Sequence, residues 1–216
     1  MGLVLLESPA YQEVVSFMKQ GLSSEGANMD ERVDFAELVA RTKRLSNFTP
    51  EHEAILLKVG SAVIPHLGGV TDAFYEVLQT IPSAEPFLEG RLEPLKATHQ
   101  KWLESLFSGP FDEDFARGMY RVGMAHVRVN LPVEFMQGAA TLIMCELVKL
   151  MTRLSRDDAA RLGLVLGAVN GVIGYSVAIM QESYQATSLV EELDKFLAIT
   201  GMSRELFNNL ALAYGK

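Results

Sequence analysis

Met124-Ala125-His126-Val127-Arg128-Val129-Asn130-Leu131-Pro132 closes one helix and prevents its continuation. Relative to His126, the apolar residues Met119, Val122 and Val129 stand three, four or seven positions away. That is the spacing of one face of a 3.6-residue helix, so the imidazole lies on or beside the buried face. Pro132 has no amide hydrogen to give, and it biases Leu131 away from helical angles. A helix over 112–129 therefore stops at Asn130-Leu131-Pro132. A histidine so placed has two readings, a core imidazole bonded to a backbone carbonyl or a metal ligand. Periodicity alone leaves both open.

Working outward, the chain reads as helical nearly throughout, because strict alternation of β-branched residues and Asn-Gly or Asp-Gly hairpin signals are missing. The pattern predicts a short amphipathic helix over 11–20 and a second over 30–45. Thr49-Pro50-Glu51 opens a third with a hydroxyl cap, a proline in the first turn and an acid at the positive helix end. It is expected to run to His66 and to break at Leu67-Gly68-Gly69. Further helices are predicted over 70–79, 92–107, 133–154 and 157–185. Two short ones, 190–199 and 204–214, divide at Thr200-Gly201, the second capped by Ser203. The expected organisation is an N-terminal extension and leading helix over 1–45, a central domain over 46–185 and a helical tail or linker over 186–216.

The 216 residues carry 49% hydrophobic and 21% charged side chains and a net charge of −8. An acidic chain without a Lys/Arg-rich block argues against a nucleic-acid partner. Cys145 is the single cysteine, which excludes an intrachain disulfide and fits a reducing compartment. The segment Met1-Gly2-Leu3-Val4-Leu5-Leu6 has no basic residues ahead of it and makes a poor signal peptide, so the cytoplasm is expected. Leu162 to Met180 runs without a charge and is long enough to span a bilayer. A buried or oligomer-forming helix is the preferred reading, since uniform apolarity is also what full burial produces. No Gly-rich phosphate loop or His-Glu-x-x-His occurs. The four histidines, His52, His66, His99 and His126, do not pair at helical spacing, so zinc has little support.

The local sequence around His126 resembles the proximal segment of the globin-coupled sensors, in which a histidine followed by x-Arg-Ile/Val-x-Leu-Pro ligates haem iron. Asp72-Ala73-Phe74-Tyr75 is similar to that family's distal-helix start, whose tyrosine faces the bound gas. Leu95-Lys96-Ala97-Thr98-His99 falls where the family has a pocket leucine and, beyond it, a distal threonine. Leu106-Phe107-Ser108-Gly109 with Phe115, and Phe48-Thr49-Pro50 before the first globin helix, extend the resemblance over about residues 34–185. It implies an all-α, globin-like fold with additional N-terminal helices and a helical tail. It also implies one b-type haem, held without covalent attachment because no Cys-x-x-Cys-His is present.

On that resemblance His126 is the expected iron ligand. Tyr75 and Thr98 are expected over the gas-binding face, and Leu95, Phe74 and Val122 are expected to line a dry pocket. A neutral imidazole supplies one strong nitrogen ligand and leaves the opposite iron face open. Tyr75 and Thr98 hydroxyls would donate to a gas that draws electron density outward. His99 adjoins Thr98, and neighbouring helical residues diverge by about 100°, so one of the two faces the pocket. The expectation is Thr98 inward and His99 towards the haem edge or solvent. Arg91, Lys96 and Arg128 are candidate partners for the haem propionates. Ala160, Gly163, Gly167, Gly171, Gly174 and Ala178 share one narrow helix face, which suits close approach of another helix, in the same chain or a second copy. The resemblance favours a homodimer through the last globin helices. The function so implied is sensing of oxygen, or of nitric oxide or carbon monoxide, by a domain that is not itself an enzyme. The rival readings are a nitric oxide dioxygenase and a haem-free signalling scaffold; turnover with a reductase and a visible spectrum, respectively, distinguish them.

Overall fold

The structure, a computed structural model, describes residues 33–155 and 158–214. The helix expected over 11–20 and the apolar N-terminus lie outside the described residues. Every regular element among the described residues is helical. In chain order they are α1 (Phe35–Leu45), α2 (Pro50–Val63), α3 (Leu67–Leu78), α4 (Glu85–Leu88), α5 (Leu92–Ser105), α6 (Glu113–Arg128), α7 (Val133–Leu154), α8 (Ala159–Thr200) and α9 (Arg204–Tyr214), with 3₁₀ turns at Ile64–His66 and Pro82–Ala84.

The helix starts follow from short polar caps. Asp34 accepts from the Glu37 amide at 2.9 Å to begin α1, and Asp158 accepts from Arg161 at 2.9 Å to begin α8. At α2 the Thr49 hydroxyl accepts from the His52 amide while His52 Nδ1 accepts from the Thr49 amide, a reciprocal cap. His52 thus has a structural task.

Two boundaries differ from the sequence reading. Gly68 and Gly69 do not interrupt the helix; both fall in the first turn of α3. The change of path comes earlier, at Ile64-Pro65-His66, where the proline cannot donate a helical hydrogen bond. The second difference is α8, which continues through 186 to Thr200 without a break. It stops where Gly201 adopts a left-handed φ of +68°, a conformation a side chain would disfavour. The expected division between domain and tail therefore falls inside one continuous helix.

Helix α8 is the centre of the fold. It packs against α6, α2, α7 and α1, while α3 packs against α7 and α5. Tyr120, Tyr175, Leu56, Leu67, Leu103, Leu106 and Leu147 are fully buried in the resulting core. The charge-free run within α8 goes partly to that core. Pro50–Leu78, Val133–Leu154 and Ala159–Ala186 are each long and apolar enough to cross a membrane, and 56% of the most apolar window of the last is buried inside the protein.

The C-terminal half of the small-residue stripe of α8 is used within the chain, so of the two neighbours its spacing allowed, the same chain supplies this part of the close approach. A Cβ at Gly171 would lie 3.2 Å from the Phe48 ring and 3.3 Å from His52, and one at Gly174 would lie 3.2 Å from Ser46 Cβ. The α1–α2 turn therefore sits in the groove that these glycines open. Only the N-terminal end of the stripe stays open: Gly163 meets nothing within 4 Å, and Gly167 faces His52 alone at 3.8 Å.

Candidate functional site

Helix α6 has two distinct faces. Ala116, Tyr120 and Gly123 are buried on the side that meets α8 and α1. About 100° round the helix run Met119, Val122, His126 and Val129, of which the last three are only partly buried. The helix begins at Asp112, whose carboxylate accepts from the Asp114 and Phe115 amides at 3.1 and 3.2 Å. It ends in a Schellman turn: the Leu131 amide donates to the His126 carbonyl at 2.9 Å and the Asn130 amide to Val127 at 2.8 Å. Asn130 takes the left-handed position, φ 53°, and the Leu131 carbonyl accepts from Tyr184 on α8 at 3.2 Å. The Asn-Leu-Pro sequence after His126 thus fixes the histidine's own backbone and pins it to α8.

The His126 ring is mostly withdrawn from water. Its Nδ1 is buried and has no hydrogen-bond partner, and burial lowers its pKa to about 4, so it is a neutral imidazole near pH 7.

On α5, Leu92, Leu95, His99, Trp102, Leu103 and Leu106 lie along one side. His99 is four residues from Leu95 and three from Trp102, so it belongs to that inward arc. Its Nδ1 lies 3.2 Å from the Thr71 hydroxyl of α3. Its ring stacks on Phe74 with centroids 4.8 Å apart, meets Tyr75 edge-on at 5.7 Å and lies 5.5 Å from Trp102. Nε2 of His99 is buried and has no partner, and burial lowers this pKa to about 4 as well.

Thr98 is the clearest departure from the expected site. It is exposed, and its hydroxyl donates to the Pro94 carbonyl of its own helix at 3.0 Å. The physical reason is rotation: three residues beyond Leu95 lies about 40° outside the arc that runs from Trp102 through Leu95, Leu106 and Leu92 to Leu103, whereas four residues lies inside it. The inward position belongs to His99. Tyr75 and Phe74 are buried in the core beneath it, and burial pushes the Tyr75 phenol above its ordinary pKa, so it stays protonated and able to donate. Leu95 and Val122 are partly buried against the core, on α5 and α6. Lys96, a candidate propionate partner, is paired at 2.8 Å with Asp72, which ties α5 to α3. Thr71 and Trp102 were missed. Thr71 is four residues before Tyr75 and Trp102 three after His99, so helical spacing alone places both beside residues already singled out.

Among the described residues, no three His, Cys, Asp or Glu side chains gather where they could hold a bare metal ion. What α5 and α6 offer instead is one neutral imidazole each, with a buried unpartnered nitrogen, among half-buried apolar side chains. That donor set fits an iron brought in by its own macrocycle. The two orphaned nitrogens are the features a haem would satisfy.

Helix order, the α8-centred packing and an imidazole late in α6 define a globin. The Protoglobin family profile matches residues 35–189, and the chain belongs to that family. It is similar to the globin domain of the Geobacter sulfurreducens globin-coupled sensor, with 27% identity over 67% of this chain and 96% of that one, at a TM-score of 0.62. The globin domain of E. coli DosC shares the fold in its ferric and ferrous forms, with 22% and 21% identity, TM-scores of 0.57 and 0.55, and 68% of this chain and 99% of that one covered in each. No curated protein sequence matches the chain.

Proposed function

We propose that this globin domain binds one b-type haem between α5 and α6 and senses a diatomic gas, oxygen above all, with nitric oxide and carbon monoxide as further candidates. The observation that carries the reading is the pair of neutral imidazoles with buried, unpartnered nitrogens on those two helices. A bound haem supplies an iron that takes a small gas reversibly. His126 holds the iron from α6. Phe74, Leu95 and Val122 keep water away, and Tyr75 supplies a hydroxyl donor. Thr98 has no part in this site, since its hydroxyl is spent on Pro94.

The route outward runs through Gly123. A Cβ there would stand 2.7 Å from the Met180 carbonyl oxygen, so α6 and α8 touch backbone to backbone three residues before His126. A shift of the histidine has little slack before it moves α8, which continues as one helix to Thr200. We further propose a cytoplasmic homodimer formed by α7 and α8. Exposed apolar residues at Val148, Leu154 and Leu164, the last 62% exposed, support it, as does the open stripe at Gly163 and Gly167. Sedimentation equilibrium should give a dimer at micromolar concentration for wild type and a monomer for Leu164→Glu. A wild-type monomer removes this part of the reading.

Tyr75→Phe tests the gas site. A hydrogen bond is worth about 0.5–1.5 kcal/mol net, and more to a charged acceptor. Oxygen dissociation should therefore quicken several-fold to about tenfold. Carbon monoxide, less charged when bound, should respond much less. Equal shifts for both gases, read by stopped flow, would mean that Tyr75 acts only through size.

A further inference from the structure

The end of α6 is fastened to α8 at two points, and His126 stands between them. The first is Gly123, three residues before it, where a Cβ would lie 2.7 Å from the Met180 carbonyl oxygen and 3.0 Å from its Cα. The second is Leu131, five residues after it. The Leu131 amide donates to the His126 carbonyl at 2.9 Å, and the Leu131 carbonyl accepts from the Tyr184 hydroxyl at 3.2 Å. A two-bond chain thus runs from Tyr184 to the backbone of His126. Both fastenings converge on Met180, Ser183 and Tyr184, little more than one turn of α8.

The two differ in kind. At Gly123 backbone meets backbone, and nothing there can give unless the helices part. Tyr184 contributes one hydrogen bond from a side chain that is only partly buried, and such a bond can be exchanged for water. Burial, with Glu134 nearby, pushes this phenol up to about 12, so it stays protonated and able to donate. Beyond Tyr184 the helix runs on to Thr200, past residue 189 where the family match ends.

We propose that Tyr184 is a releasable latch and the positioning residue for His126: its hydroxyl holds the end of α6 against α8 in the gas-free protein and lets go when gas binds. This rests on the haem-binding reading above. The fastenings lie on the α8 side of α6, so a pull from the iron on the His126 side works against the Tyr184 bond. With the latch open, α6 pivots at Gly123 and the last turn of α8 before the tail loses its tie to Leu131. Because coupling is reciprocal, a chain without the latch binds gas more tightly.

The test uses the full chain loaded with haem, with Tyr184→Phe beside wild type and helical content checked by circular dichroism. Phenylalanine keeps the ring and removes only the donor. Loss of one neutral hydrogen bond should raise the affinities for oxygen and carbon monoxide together, by about two- to tenfold. That pattern differs from Tyr75→Phe, which should move oxygen far more than carbon monoxide. The iron–histidine stretching band, read by resonance Raman after photolysis of the carbon monoxide complex, should be displaced in Tyr184→Phe. A second measurement reads the latch in wild type itself. The ultraviolet resonance Raman difference between gas-free and carbon monoxide-bound protein should show a tyrosine losing its hydrogen bond, and Tyr184→Phe should lack that signal. Unchanged or lowered gas affinities, an unmoved iron–histidine band, or a tyrosine signal that survives in the variant overturns the proposal. A wild-type chain that takes up no haem overturns the reading beneath it as well, so haem content tells the two failures apart.

Discussion

Gly123→Ala should destabilise the fold by about 3 kcal/mol, the upper part of the usual range for overpacking a tight contact. The added Cβ would fall inside van der Waals contact of Ser183 Oγ, 2.7 Å from the Met180 carbonyl oxygen and 3.0 Å from its Cα. Ser183 is fully buried and its hydroxyl donates to that same Met180 carbonyl at 2.7 Å, so it has little room to turn aside. The rest of the obstacle is backbone. Helices α6 and α8 would have to separate, and the stacked core behind them with them. For a chain of this length the loss corresponds to a fall in Tm on the order of 6–12 °C. Gly118 on the same helix is the control, because a Cβ there meets nothing within 4 Å. Gly118→Ala should be neutral or stabilising by up to about 1 kcal/mol, through helix propensity and the unfolded chain. Thermal unfolding followed by circular dichroism reads both. Equal Tm values for the two variants would show that the α6–α8 crossing is looser than the geometry states.

The second large effect is expected at His126. Loss of groups that merely orient a metal ligand commonly weakens metal binding 10–100-fold, so loss of the ligand itself should weaken haem binding by at least about a hundredfold. His126→Gly removes the imidazole and leaves space for an added one, so exogenous imidazole should restore the spectrum. The helix should survive, since Asn130, Leu131 and Pro132 form its stop and do not depend on the side chain at 126. A His126→Gly variant that keeps the wild-type spectrum without imidazole would move the ligand to His99.

What the sequence could disclose depended on whether a feature is local. Helix α7 was legible to the residue because Pro132 fixes its start and polar residues follow its end. The Schellman stop after His126 was legible because each residue of Asn-Leu-Pro has one strong backbone preference. The continuity of α8 was not. Gln185-Ala186-Thr187-Ser188 looked like a break, yet it holds no glycine or proline, and the next left-handed position is Gly201. The glycines of α8 showed that something approaches closely but not what, because helical pattern carries no information on whether the neighbour belongs to the same chain. Phe48 and Ser46 supply the answer only in three dimensions. The exchange of Thr98 for His99 was decidable beforehand. Leu95, Trp102 and Leu106 already defined an inward arc, and counting four residues from Leu95 selects His99. The Thr71 contact, across two helices, was not.

The central claim is that this chain holds haem, and titration of haemin into the haem-free protein tests it most directly. The account predicts a sharp Soret band that grows to saturation at one haem per chain and a spectrum in which nitrogen ligates the iron. A Soret region that stays that of free haemin throughout the titration, with the protein folded by circular dichroism, would contradict it.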